Sequence, residues 1–483
     1  MSNKQNIPGG SPFNHNQPPR KKNDTPALIV ALLVTGGVTI GGGLWFVTAL
    51  RDTPAPSPTP TPATVSDEPA PRLSEGDTIL ISELVTPEKE KAANAIATGN
   101  YSEAILELEA ALNAAKNDPE ALIYLNNARI GAERSYTIVA SMPIGNSVNA
   151  AKEMLRGVAQ AQDEINREGG IEGVGLKVLI ANDDNNAETA QTLATEFANN
   201  PEILGVVGHF GSGTTLAAAE VYQQEGLPVI SPTSTSVALS GAGNYIFRTV
   251  PSDRFAGSAL AKYQLERLNL QKAAVFFNSE SNYSKSLKDV FTTDLFAQGG
   301  EVIGEYDFSA SDFNAGRMVQ EASDRGAEVL MLAANSAVLE QLLEAIAANG
   351  GNLPMLAGDS AYKPDILELG GGNAIGMVLA VPWHILGNPE AEFPQTSQKL
   401  WGGPVNWRTA MAYDATRAFI AALQQNPTRE GIRQTFADAE FAAEGATGEI
   451  RFLPSGDRNQ AVQLVEVEES ARSEFSYSFV PIR

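Results

Sequence analysis

Residues 206–215 read VVGHFGSGTT, a glycine-rich run in which Gly208 and Gly213 bracket four residues and Thr214 and Thr215 follow. A phosphate-binding loop would place lysine and then serine or threonine there, so the cation that reaches the β and γ phosphates is missing and a nucleotide is excluded. A singly charged anion asks for less. The run then reads as a glycine-rich turn whose helix start leaves backbone N–H groups free for some other anion. His209 lies three residues before Ser212 and raises a base–nucleophile pair. Two residues so close in a tight turn seldom reach that geometry, and no acid is evident to orient the base. A hydrolase is therefore not expected, and His209 reads as a partly buried residue at the edge of a cleft. With three histidines and no cysteine, the chain has no thiol nucleophile and no thiolate metal site. Asp183–Asp184 reads as a helix-capping turn rather than a metal cluster, so neither metal nor cofactor is expected.

The elements that must position this loop repeat along the chain. Short apolar runs alternate with amphipathic helices from Tyr136 onward: YTIVASMP, a helix near 150–167 with Met154, Leu155, Val158 and Ile165 on one face, then LKVLIAND. ILGVVGHF, a helix through LAAAEVYQQEG, and LPVISP follow. KAAVFFNS, a helix near 284–298, GEVIGEYDF, a helix near 315–325, and AEVLMLAAN repeat the arrangement. Near-continuous apolar strands between helices predict parallel sheets covered on both faces. The strands are too many for one sheet, so the fold class is α/β with two doubly wound, Rossmann-like lobes. Ligands in such sheets sit beyond the carboxyl ends of the strands, which predicts a cleft between the lobes.

The N-terminal part differs in kind. Residues 1–25 form a polar tail with Lys4, Arg20, Lys21 and Lys22 against Asp24, a charge of +3. Residues 26–50 are predicted to be a transmembrane helix, since Ala27–Leu50 has no charged residue and is long enough to cross a bilayer. Basic residues before the span orient the tail to the cytoplasm and put the acidic remainder, −23 minus +3 or −26, outside as a single-pass, inner-membrane-anchored protein. That acidity also argues against nucleic acid as a partner. Residues 51–83 form a proline-rich tether. Residues 84–132 are helical and resemble one tetratricopeptide unit, through Gly99, Tyr101, Ala104, Ala111 and Pro119. The alternatives there are a surface for a protein partner or a plain helical hairpin packed on the next domain.

From Tyr136 to Pro481 the chain resembles the type I periplasmic binding proteins, in particular the leucine-binding receptors of ABC importers. The resemblance rests on NREGGIEG (166–173), NDDNNAETA (182–190), VVGHFGSGTT (206–215), GLPVISPTSTS (226–236), FRTVPSD (247–253), AYDATRA (412–418) and GATGEIRFLPSGDR (445–458), in that order. It implies two hinged lobes that close on a ligand, the first over 133–253 and 384–440, the second over 254–383 and 441–483. It implies no enzyme, and an importer permease as partner. Carried over by motif, Ser212 would receive a ligand carboxylate. Thr233 would offer a carbonyl to an ammonium, and Thr235 an N–H and a hydroxyl. Asp359 in LAGDSAY would neutralise the ammonium, whose burial without a counter-charge costs several kcal/mol. Tyr283 in SESNYSKS would cover the ligand, and Asp253, which ends FRTVPSD, joins the candidate ligand-binding residues. Where the leucine-binding members carry tyrosines this chain has Asn335 and Ala150, so the side-chain pocket differs and Asn335 is placed to bond a polar side chain. Two other functions remain open on the same fold: a sensing ectodomain that reports to another membrane protein, and an amidase-like enzyme.

Overall fold

The computed structural model describes residues 71–471 and 473–482. The predicted anchor and most of the tether lie outside them, and among the described residues no helix is long and apolar enough to cross a membrane. The chain begins with β1 (Leu73–Ser74) and three helices, α1 (Pro87–Ala97), α2 (Tyr101–Ala114) and α3 (Pro119–Ile130). Each helix opens on its own cap, Thr86, Asn100 and Asp118, whose side chains accept a first-turn N–H. The body then runs β2 (Ser135–Met142), α4 (Val148–Arg167), β3 (Gly175–Asn182), α5 (Ala187–Asn199), β4 (Ile203–Val207), α6 (Ser212–Glu225), β5 (Val229–Ser231) and β6 (Ile246–Arg248). It crosses over and continues α7 (Asp253–Lys262), β7 (Lys272–Phe277), α8 (Asn282–Ala297), β8 (Glu301–Asp307), α9 (Ala315–Asp324), β9 (Val329–Ala333), α10 (Leu339–Asn349), β10 (Met355–Ala357), α11 (Pro364–Glu368) and β11 (Val378–Val381). The last part holds α12 (Glu392–Trp401), α13 (Trp407–Gln425), α14 (Arg429–Ala437), the hairpin β12 (Ala443–Gly445) and β13 (Gly448–Ile450), then β14 (Gln463–Glu469) and β15 (Tyr477–Pro481).

Two sheets result. The first has the order β1-β3-β2-β4-β5-β6, parallel except for β1. The second has the order β15-β14-β11-β10-β9-β7-β8. Its strands β7 to β11 are parallel, but β14 and β15 run antiparallel, so the sheet is mixed rather than wholly parallel. Each order reverses direction once, between β2 and β4 and between β7 and β9, which places a topological switch point at the carboxyl edge of each lobe.

The lobe boundary near the C-terminus differs from the sequence reading, which assigns everything from 441 to the second lobe. The β12–β13 hairpin is tied to α13 instead: Asp414 accepts the N–H of Ala446 at 2.6 Å and pairs with Arg458. Phe436 packs against Phe247, Phe441 and Phe452 with ring centroids 5.1–5.5 Å apart. Residues 441–458 thus stay with the first lobe, and the second resumes at β14. The physical cause is a run of aromatics and one buried ion pair, neither visible as a unit along the chain.

Helices α4 and α13 cross closely because Gly157 has no side chain. A Cβ there would meet Thr409 O at 2.2 Å and Tyr413 N at 2.5 Å, both backbone atoms of the facing helix. Gly157→Ala should therefore lower stability by about 1–3 kcal/mol in urea denaturation, despite alanine's better helix propensity.

Helix α3 is buried on almost every side, so the segment packs on the next domain through it. Its Asn127 side chain bonds both backbone groups of Val178, donating to the carbonyl at 2.8 Å and accepting the N–H at 3.1 Å. Gln162 of α4 donates to the same Asn127 oxygen at 2.9 Å. Strand β1 covers Ile180 and Ala181 on that edge of β3, and the Asn127 carboxamide completes the cover in place of a peptide. The hairpin is packed on the first lobe, so the α3 face is not open to a partner. Helix α1 falls inside the stretch 84–132 read as helical, ahead of the two helices that carry the repeat-like residues.

Candidate functional site

The loops after β4 and β5 meet those after β7, β9 and β10 across a cleft of about 420 Å³. Its walls include Ser212, Gly213, Thr214 and Thr233 from the first lobe, with Tyr283, Asn335 and Asp359 from the second. Five of the seven candidate residues therefore share one cavity. A wider groove of about 600 Å³ lies between α2, α3, α4 and α12 and holds none of them.

Ser212 is the first residue of α6, after Gly211, which has no capping side chain. The first amide with a partner within the helix is that of Thr215, bonded to Gly211 O at 2.9 Å, so the N–H groups of Ser212, Gly213 and Thr214 have no intrahelical acceptor. The Ser212 oxygen accepts the Ser236 N–H at 3.2 Å, which leaves its own proton to donate. Thr233 spends its hydroxyl on Phe210 O at 2.8 Å, leaving its carbonyl as the group to offer.

Behind this wall the sequence reading needs correction. His209 is fully buried rather than at the cleft edge: its ring bonds Asp183 at 2.7 Å and the Tyr222 hydroxyl at 2.8 Å. It makes no pair with Ser212. Its carbonyl accepts from Ser231 at 2.8 Å, so it organises the loop from behind. Thr235 and Asp253 are also buried and do not line the cleft. The Asp253 N–H is bonded to Thr235 O at 2.8 Å, while the Thr235 hydroxyl and both Asp253 carboxylate oxygens have no hydrogen-bond partner of good geometry.

On the opposite wall, Asp359 follows β10 at the turn Gly358–Asp359 and is 7% exposed. Glycine is required at 358 because a Cβ would lie 2.2 Å from the Tyr283 hydroxyl. Burial, with Asp253 nearby, pushes the Asp359 carboxyl up to about 7 against a partial offset from Arg408. Burial likewise pushes Asp253 up to about 6. Burial and the neighbouring Asp359 hold the Tyr283 hydroxyl well above its ordinary range. An empty cleft thus keeps a poorly solvated acid that a cation would ionise.

Among the lining residues that sequence reasoning missed are Asn278, Trp407 and Arg408. Trp407 and Arg408 open α13, and Arg408 is 4% exposed. Its guanidinium donates to Tyr362 O at 3.1 Å and lies over the Trp407 ring at 4.3 Å. The available signal was a single cation in the first turn of a helix that opens WRTAMAYDA. Among the described residues no group of three acidic or histidine side chains could hold a metal ion.

The chain is similar to known proteins in sequence and in fold. A family model described as periplasmic binding protein matches residues 144–472. The leucine-specific-binding protein of Salmonella typhimurium is 25% identical over 314 residues, covering 63% of this chain and 82% of that one. The solved leucine binding protein of Thermotoga maritima superposes with a TM-score of 0.63 at 21% identity, covering 71% of this chain and 97% of its own. A solute binding protein of Rhodopseudomonas palustris, solved with 3,4-dihydroxybenzoic acid, superposes with a TM-score of 0.62 at 17% identity, covering 72% and 96%. These structural likenesses show the type I fold, and the match over 144–472 establishes that the chain belongs to the periplasmic binding protein family.

Proposed function

We propose that this protein is an extracytoplasmic receptor that captures an α-amino acid in its cleft for an ABC-type importer and is held to the membrane by residues 26–50. The observation that carries the reading is the pairing of an anion-ready helix start at Ser212 with a buried carboxylate at Asp359 in one cavity of about 420 Å³. The two ends match the two charges of a zwitterion. Relatives named for leucine and for amino acids support the same class of ligand. Ligand held by both walls favours the closed arrangement of the lobes, and that difference in affinity is what an importer would read. No bond is made or broken.

The test is calorimetric titration of the full-length protein with a panel of L-amino acids at pH 5, 6, 7 and 8. An ammonium in the cleft needs Asp359 ionised, so below its resting value of about 7 binding releases a proton. The dissociation constant should rise as pH falls from 7 to 5, by at most about tenfold per unit because Asp253, near 6, loses its charge in the same window and so eases ionisation of Asp359, and should level off above pH 8. Arg408 holds its charge across this range, and Tyr283 stays neutral. Absence of binding by every amino acid would reject the reading, and a dissociation constant indifferent to pH would remove Asp359 from it.

A further inference from the structure

Arg408 is rooted in one lobe and bonds the other. The start of α13 is fixed to the first lobe on both sides of this residue's face: Thr409 donates to Glu153 of α4 at 2.5 Å, Tyr413 donates to Glu164 of α4 at 2.6 Å, and Met411 O accepts the Thr249 hydroxyl at 2.8 Å. From that base the guanidinium reaches the short turn Asp359–Ala361 of the second lobe and donates to Tyr362 O at 3.1 Å and Asp359 O at 3.5 Å. The turn is anchored in its own lobe, since the Tyr362 ring stacks on Phe479 of β15 with centroids 4.3 Å apart. A planar fork that keeps its proton when buried suits two backbone carbonyls. Bonds of this kind last only while the lobes stand close.

The same cation acts on the acid that the turn carries. Burial and then Asp253 of α7 push the Asp359 carboxyl up, and Arg408 opposes them, as do the Tyr283 hydroxyl of α8 and the Ser360 N–H. Glu153 of α4 also acts on Arg408. Lys363, just past the turn, has Asp365 as the acid acting on it, and Glu280 lines the cleft as an exposed residue. Among these groups Arg408 is the cation that favours an ionised Asp359.

We infer that Arg408 is a positioning residue that ties closure of the cleft to its ammonium-binding acid: held by the first lobe, it grips the second-lobe turn that bears Asp359 and sets its charge beside that carboxylate. This rests on the amino-acid reading above and adds to it the means by which one wall is aligned on the other. Without the cation, the Asp359 carboxyl climbs further, so the ionised form that an ammonium needs is lost at a higher pH.

The experiment uses full-length protein in detergent, as wild type and as Arg408→Met. The chain has no cysteine, so Gln191→Cys in α5 and Thr293→Cys in α8, both exposed, place one nitroxide label on each lobe for distance measurement by electron spin resonance. In ligand-free Arg408→Met the distance distribution should broaden toward longer values. The lobes loosen rather than part, because the Val237 N–H still meets the Ser286 hydroxyl at 2.9 Å. Titration of unlabelled protein with the panel of L-amino acids should show a ratio of dissociation constants, pH 6 over pH 9, that exceeds the wild-type ratio by up to about tenfold, the result of raising Asp359 by about one unit. Should Arg408→Met fail to fold, Arg408→Gln, uncharged and too short for the two carbonyls, takes its place with the same expectations. An unchanged ratio with affinity lowered equally at every pH, or a ligand-free distribution identical to wild type, overturns the inference and leaves the amino-acid receptor standing. Failure of every amino acid to bind the wild type overturns the receptor reading, while the distances, measured without ligand, still decide the grip.

Discussion

Asp359→Asn is expected to weaken amino-acid binding at least about 100-fold and to raise the melting temperature of the ligand-free protein at pH 8. The two effects share one cause. The carboxyl is buried, with a resting value of about 7 against an ordinary 3.8, so in the folded state the protonated form is favoured. A raised carboxylate value means that stability is highest below pH 4 and is lost as pH rises toward 7. About three units correspond to at most about 4 kcal/mol of strain at pH 8, which asparagine removes. A ligand ammonium in the same place loses its counter-charge, a cost of about 3–5 kcal/mol or a 100- to 1,000-fold or greater loss of affinity. Differential scanning calorimetry at pH 5 and pH 8, with titration at pH 8, separates the two. A variant less stable than wild type at pH 8 would show that Asp359 is a structural acid already paid for by Arg408.

Lys89→Ala should unfold the helical segment, with a loss of about 3–5 kcal/mol. Its ammonium has no solvent exposure and bridges Asp118 at 2.7 Å and Glu120 at 2.8 Å. Glu120 also accepts the Leu80 N–H at 2.7 Å and the Tyr124 hydroxyl at 2.9 Å, so α1, α3 and the entering chain meet at one lysine. Its removal leaves two buried carboxylates together. Hydrogen exchange should show lost protection over 73–130, while strands β7, β9 and β10 keep theirs. Loss confined to α1 would mean that Asn127 and its neighbours hold α3 without the ion pair.

Much of the fold was legible because burial on both faces leaves a strand no polar positions. Strand β9, VLMLA, is buried throughout and reads as a strand without help from its neighbours. The amphipathic face of α4 was equally plain: Met154, Leu155, Val158 and Ile165 are all buried. Helix α3 misleads for the opposite reason. Asn126 and Asn127 look like solvent-facing residues of a hairpin, yet both are buried, and Asn127 finishes a sheet edge 51 residues away in sequence. No periodicity in the segment encodes a partner at that distance.

The candidate site divides along the same line. Glycines at a strand end and a serine opening a helix are local chemistry, so Ser212 stood out along the chain, whereas Asp359 was reached only through the family resemblance of LAGDSAY. That they share a cavity with Tyr283 and Asn335 depends on two sheets facing each other, a property of the tertiary structure. So does the separation of Thr235 and Asp253, which sit behind the wall because the first crossing between lobes passes there. Arg408 shows the limit most clearly. One cation at the start of a helix is unremarkable in sequence, and only the approach of α13 to the loop after β10 turns it into a charge buried beside Asp359. Local backbone geometry is written in neighbouring residues. The sign and balance of charge in a closed space are set by whichever distant elements enclose it.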